Sequence, residues 1–187
     1  MSNLSIFTIG YGARDLEQFI AVLQQYEIAY LIDVRSRPYS RYKPEFSKQA
    51  LAQAVQQVGI RYLFMGDALG GQPDDADCYT GGKVDYEKVR GMDFYRRGIG
   101  RLQEAWRQEL RVVIMCSEGK PEMCHRSKLI GQSLAELSIP VAHIDESDQA
   151  LMQHEVMLRL NSGQPSLFGD DFPKLTSRKK YREEDDA

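Results

Sequence analysis

The chain has 187 residues, 42% hydrophobic and 27% charged, with a formal net charge of −3, the composition of a soluble globular protein with one domain and a sizeable core. That balance excludes a general electrostatic affinity for nucleic acid, so any anion site must be local. No apolar run reaches the roughly 18 residues that span a membrane, the N-terminus lacks the features of a secretory signal, and three cysteines, an odd number, point to reduced thiols in the cytoplasm.

Residues 4–9 predict a first strand. Asp15 caps the next helix, Gln18 completes a capping box, and Leu16, Phe19, Ile20 and Leu23 form its apolar stripe. Residues 30–32 predict a second strand. Ser47 then caps a helix whose buried face carries Leu51, Ala54, Val55 and Val58, and Gly59 ends it as a left-handed residue. A third strand falls at 62–64 and a helix at 94–107. Residues 112–115 are continuously apolar, which suits a central strand covered on both faces. Leu129, Ile130, Leu134 and Leu137 mark the helix after it, with Pro121 in its first turn. A fifth strand at 141–144 and a helix at 148–160 complete an α/β domain over residues 1–160. Strands alternating with helices imply a mostly parallel, Rossmann-like central sheet of about five strands.

Two connections, 34–46 and 65–85, are longer than connections without their own structure usually are. The second reads either as a lid hinged on Gly70-Gly71 and Gly81-Gly82 or as a floppy acidic surface loop. From residue 161 the composition turns to charge, proline and glycine, predicting a flexible C-terminal tail over 161–187. Within it Gln164, Leu167 and Phe168 fit a short docking peptide like those that bind bacterial sliding clamps. The reading preferred over docking has Leu167 and Phe168 folding back on the protein's own surface.

Ligands of open parallel sheets sit beyond the carboxyl ends of the strands. That rim carries Gly10-Tyr11, Asp33 with Arg35, and the stretch Cys116-Ser117-Glu118-Gly119-Lys120-Pro121-Glu122-Met123-Cys124-His125-Arg126. Four chemistries suit this last stretch. Cys116 or Cys124 is a nucleophile with His125 as proton carrier and Arg126 clamping an anion. The two thiols and His125 bind a metal, although C-x7-C-H is not a standard zinc spacing. The thiols form a reversible disulfide. Or Cys116 is a buried strand end, with His125 and Arg126 merely capping and solvating the helix. The loop after the second strand adds Arg35, Arg37, Arg41 and Lys43 among Tyr39 and Tyr42, cations for phosphate and aromatic faces for bases.

The segments TIGYGARDLEQFI, LIDVRSRPYSRYKPEFSKQAL, GIRYLFMGDALGG and VVIMCSEGKPEMCHRSKLI together resemble the family known as domain of unknown function 488, over residues 4–145. The resemblance implies a three-layer α/β sandwich, cytoplasmic and mostly microbial, and no established reaction. It points to Gly10, Asp33, Arg35, Pro38, Ser40, Phe46, Gly70, Gly71, Cys116, Glu118, Cys124, His125 and Arg126 as shared positions. Many relatives carry histidine where this chain has Tyr11, which disfavours a mechanism needing two histidines.

The reading that results is an enzyme for a phosphate-bearing ligand, a nucleotide or nucleic acid. Cys116 and His125 are its nucleophile and proton-transfer pair, with Cys124 a further thiol and Asp33 and Glu118 acid–base candidates. Gly10, Tyr11, Arg35, Arg37, Ser40, Gly70, Gly71 and Arg126 are the ligand-binding candidates. No metal site is assigned and no cofactor is identified. The alternatives are a non-catalytic nucleic-acid-binding module recruited through its tail and a thiol redox sensor.

Overall fold

Short β-branched strands alternate with amphipathic helices along the chain. The computed structural model, which describes residues 4–160 and 175–182, folds them into one sheet covered on both faces. Strand β1 (Ile6–Gly10) leads into helix α1 (Leu16–Gln25) through the expected capping box. Asp15 Oδ1 accepts Gln18 N–H at 2.8 Å, and Gln18 Oε1 accepts Asp15 N–H at 3.1 Å. Strand β2 (Tyr30–Asp33), helix α2 (Lys48–Gln57) and strand β3 (Arg61–Phe64) follow. Gly59 takes the left-handed conformation, φ 81°. Ser47 stands at the α2 N-cap, but its Oγ accepts the Ser40 N–H at 3.2 Å and so fastens the basic loop instead of the helix. Val58 and Leu137, expected in apolar stripes, lie at helix C-caps and are 38% and 44% exposed.

The 65–85 connection has structure of its own. It holds helix α3 (Gly66–Leu69) and a hairpin of β4 (Tyr79–Thr80) and β5 (Lys83–Val84). The hairpin turn is Gly81-Gly82, both at positive φ, as a two-residue primed turn requires. Leu69, Cys78 and Val84 are fully buried in the main core, so this segment is a fixed wall. Helices α4 (Tyr86–Gly91) and α5 (Asp93–Arg107) follow, then β6 (Val112–Cys116), α6 (Gln132–Glu136), β7 (Val141–Ile144), β8 (Ala150–Met152) and α7 (Gln153–Leu160).

The sheet order is β3-β2-β6-β1-β7-β8, parallel except for β8. The sixth strand replaces the start of the helix expected at 148–160. Asp145 Oδ1 accepts the N–H groups of Ser147 and Gln149, and Asp148 at φ 61° completes the reversal. Residues 150–152 can then pair with β7 before α7 begins. Strand β6 is buried along its whole length, and its alternation shows why. Val112 and Ile114 enter a core with Tyr95, Leu102, Leu129 and Leu134, while Val113 and Met115 enter a second with Phe19, Leu23, Leu51 and Val55. Helices therefore cover both faces, giving three layers.

The helix after β6 starts later than Pro121. That proline opens a short 3-10 turn, Pro121–Met123, which stops at Cys124 in extended backbone. The helix then runs over residues 125–136, opening with a π-helical stretch, Arg126–Gly131. Cys124 thus takes the N-cap place, and its Sγ accepts the Arg126 N–H at 3.5 Å.

A closed ring of buried hydrogen bonds ties this helix to the sheet. Arg126 Nη1 donates to Thr8 Oγ1 at 3.1 Å. Gln153 Nε2 donates to Ser127 O at 3.0 Å, which leaves Gln153 Oε1 to accept from His143 Nε2 at 2.6 Å. His143 Nδ1 therefore carries the lone pair and accepts from Thr8 Oγ1 at 2.7 Å. Burial pushes the His143 imidazole down to about 4. The neutral ring binds fewer protons than the unfolded one, so its contribution is full above pH 6.5 and is lost as pH falls toward 4. We expect urea denaturation across that window to show a loss of about 3 kcal/mol, much reduced in His143→Gln.

Candidate functional site

Because β6 lies between β1 and β2, the loops after these three strands meet over one rim. Cys116 ends β6 beside Gly10, and Gly10 admits no side chain because a Cβ there would overlap Glu118 O and Arg126 Nη2. Gly10 therefore seats the cysteine loop on β1. Gly70 likewise lets Ser36 and Gly66 approach, and of these glycines Gly71 lies on the crevice, where a Cβ would overlap the His125 ring. The crevice holds about 390 Å³.

Asp33 is fully buried and grips Arg35. Its Oδ1 accepts Arg35 Nε at 2.9 Å, its Oδ2 accepts Arg35 Nη2 at 2.6 Å, and Tyr62 donates to Oδ2 at 2.7 Å. Asp33 does not line the crevice, so its place is behind Arg35. Arg35 Nη1 is buried without a partner, and its guanidinium carbon lies 5.6 Å from the centre of the Tyr11 ring, which stacks on Phe46. Arg35, Arg37 and Tyr11 line the crevice, as does Glu118. Ser40 does not; its Oγ accepts the Lys43 N–H and shapes the loop. Lys43 bonds the carbonyls of Gly12 and Arg14, so it too serves the scaffold.

Arg126 is the main departure from the expected anion clamp. It is 0% exposed. Besides Thr8, it donates through Nη2 to Glu118 O at 2.6 Å and through Nε to Cys124 Sγ at 3.4 Å. No described carboxylate pairs with it, so the negative group beside this buried cation is the Cys124 sulfur. Burial pushes the Cys124 thiol up, but the hydrogen bond from Cys116, with Arg126 and His125, outweighs it and holds the group well below an ordinary thiol. Its hydrogen bond to Cys124 and its burial push Cys116 well above one. The two shifts run in opposite directions, so ionisation is easier at Cys124 than at Cys116. His125 Nδ1 faces both sulfurs, at 3.6 Å from Cys124 and 3.9 Å from Cys116, while Nε2 is buried without a partner. A thiolate only accepts, so the Nδ1 hydrogen points to it.

The two sulfurs and Nδ1 lie within 4.8 Å of one another. Three such donors could hold a soft ion, but Arg126 already supplies positive charge beside Cys124, and the spacing is not a standard zinc pattern.

The sequence reading missed one wall. Residues 175–182 lie against the hairpin: Ser177 N–H donates to Val84 O and Val84 N–H to Ser177 Oγ, both at 3.0 Å, and Tyr181 N–H donates to Gly82 O at 2.8 Å. Arg178 pairs with Glu118 at 3.5 Å, and Ser177, Arg178, Lys179 and Tyr181 line the crevice. The basic run at 178–180 was the available signal, but nothing local says where such a run packs. Gln164, Leu167 and Phe168 lie outside the described residues.

This is a three-layer α/β domain with a buried thiol pair at the floor of a cationic strand-end crevice. The chain belongs to the family described as domain of unknown function DUF488, whose model matches residues 15–132, a shorter stretch than the resemblance suggested and one that leaves out Gly10 and Tyr11. No curated protein and no solved structure gives a match. No described helix is long and apolar enough to cross a membrane.

Two measurements check the thiol assignments. Alkylation of Cys124 by iodoacetamide should persist at pH values where Cys116 and Cys78 are inert, the latter pushed up to about 11 by burial and by Asp75 and Asp77. Cys124→Ala should destabilise the fold by about 3–5 kcal/mol in urea, because it strands the Arg126 charge, whereas Cys116→Ala costs less.

Proposed function

We propose that the crevice binds a phosphate-bearing ligand of nucleotide size and that Cys124 is the thiolate that reacts with it. One observation carries this reading. Arg35, Arg37, Arg178 and Lys179 surround the crevice above the thiol pair, against one carboxylate among the described residues, that of Glu118. Guanidinium groups present planar donor pairs that suit phosphate oxygens, and Arg35, braced by Asp33, retains an unpartnered Nη1. Tyr11, Tyr39, Tyr86 and Tyr181 add ring surface for a base.

The chemistry that follows is a hydrolase or transferase acting through a covalent thio-intermediate. Cys124 Sγ forms a bond to an electrophilic centre of the ligand, and the leaving group departs with a proton from Cys116 or from Nδ1 of a doubly protonated His125. Water or an acceptor, deprotonated by Glu118, then displaces the sulfur. Arg126 stabilises the thiolate from behind and does not touch the ligand. Three free thiols suit a reducing compartment, and the cytoplasm is the proposed location.

Tyr39 and Tyr42, 74% and 91% exposed, favour a second reading beside Arg37 and Arg41: a nucleic-acid-binding module without turnover, for which residues 164–168 would recruit a clamp-like partner. The two readings separate in one set of experiments. A nucleoside monophosphate should protect Cys124 from alkylation, and Arg37→Ala and Arg178→Ala should each weaken that protection about tenfold. If only single-stranded oligonucleotides protect, with a steep salt dependence and no product, the module stands and the enzyme does not. Absence of protection by either class of probe rejects both.

A further inference from the structure

Cys116 has a donor's role above, yet its position gives it a second chemistry. Its sulfur, that of Cys124 and the His125 ring nitrogen lie within 4.8 Å of one another, and no disulfide joins them. Cys116 closes a strand, whereas Cys124 stands in extended backbone between a 3-10 turn and a helix. The intervening connection includes Gly119 and only the short turn Pro121–Met123, so small rotations can bring the sulfurs together. Both cysteines line the crevice, which admits a small molecule although each is buried, 8% and 4% exposed. Cys78 is 0% exposed and outside the crevice.

We propose that Cys116 and Cys124 are a hydroperoxide-oxidised pair that closes to a reversible intramolecular disulfide. In the first step the Cys124 thiolate attacks the nearer oxygen of a hydroperoxide. The O–O bond breaks, the sulfur becomes a sulfenic acid, and the departing alkoxide or hydroxide takes a proton from solvent or His125. In the second, Cys116 gives up its proton and attacks the Cys124 sulfur. The S–S bond forms, the S–O bond breaks, and the hydroxide leaves as water with that proton. The two thiols lose two electrons in all, and one hydroperoxide is reduced to an alcohol, or to water when the peroxide is hydrogen peroxide. A dithiol reductant reverses the bond by exchange.

Arg126 and the helix N-terminus favour the reacting thiolate, and the adjacent Cys116 intercepts the sulfenic acid before further oxidation. The bond removes the thiolate, so it would also switch off the chemistry proposed above. That consequence rests on the proposed function, while the oxidation rests on the thiol pair alone.

The test uses the full chain with hydrogen peroxide, followed by intact mass and peptide mapping. The expected result is loss of the mass of two hydrogens, loss of two of the three free thiols, a Cys116–Cys124 linked peptide, and full recovery with dithiothreitol. Cys116→Ser should instead stop at a Cys124 sulfenic acid that dimedone traps. Retention of all three thiols in the native chain, or a bond that includes Cys78, overturns the inference. Formation of the bond in a protein that no phosphate-bearing probe protects would uphold this inference while the proposed function fails.

Discussion

The site is organised around an arginine that no described carboxylate pairs with. Arg126 is sealed between the sheet and its own helix, and a buried guanidinium is tolerated only if its donors are met and its charge is balanced. Three neutral or sulfur acceptors take its donors, and the Cys124 sulfur, whose ionised form Arg126 favours, is the group placed to balance its charge. The dependence runs both ways, since the cation favours an ionised sulfur and that sulfur makes the cation tolerable. The ring through Thr8, His143, Gln153 and Ser127 fixes the arrangement to four separate segments of the chain. The thiol pair and the packing of the helix therefore share the same contacts, so a substitution at Cys124 disturbs the fold as well as the crevice floor.

Topology decides where this pair opens to the outside. Inserting β6 between β1 and β2 brings the cysteine loop beside the Asp33–Arg35 turn, about eighty residues earlier in the chain. The two buried charge systems do different jobs. Asp33 braces Arg35 so that a guanidinium is presented at the crevice wall, whereas Arg126 acts from underneath, on the sulfur. One cation faces the crevice and the other holds its floor.

Local physics made much of this legible in the sequence. The capping box at Asp15, the left-handed Gly59 and the continuously apolar 112–115 each follow from short-range rules, and each forms. The convergence of the Asp33, Arg35 and Cys116 segments also follows from the alternation of strands and helices. What stayed hidden was non-local. Arg126 reads as a surface cation because arginines usually are, and its burial depends on Thr8, more than a hundred residues away. Strand β8 reads as helix because an Asp145-built turn overrides the periodicity of 148–160. Residues 177–181 line the crevice through backbone pairing with a two-residue strand, a partnership no residue pattern announces. Gly10 and Gly70 are required for close packing, Gly10 against Glu118 and Gly70 against Ser36 and Gly66.

That late pairing divides the site by order of synthesis. Every group that tunes the sulfur, from Thr8 to Gln153, emerges from the ribosome before residues 177–181, which wall in the crevice. The buried thiol pair and its hydrogen-bonded ring can thus assemble before the crevice wall is in place. Replacement of residues 177–181 would reshape what the crevice admits while leaving the contacts of both sulfurs with His125 and Arg126 in place.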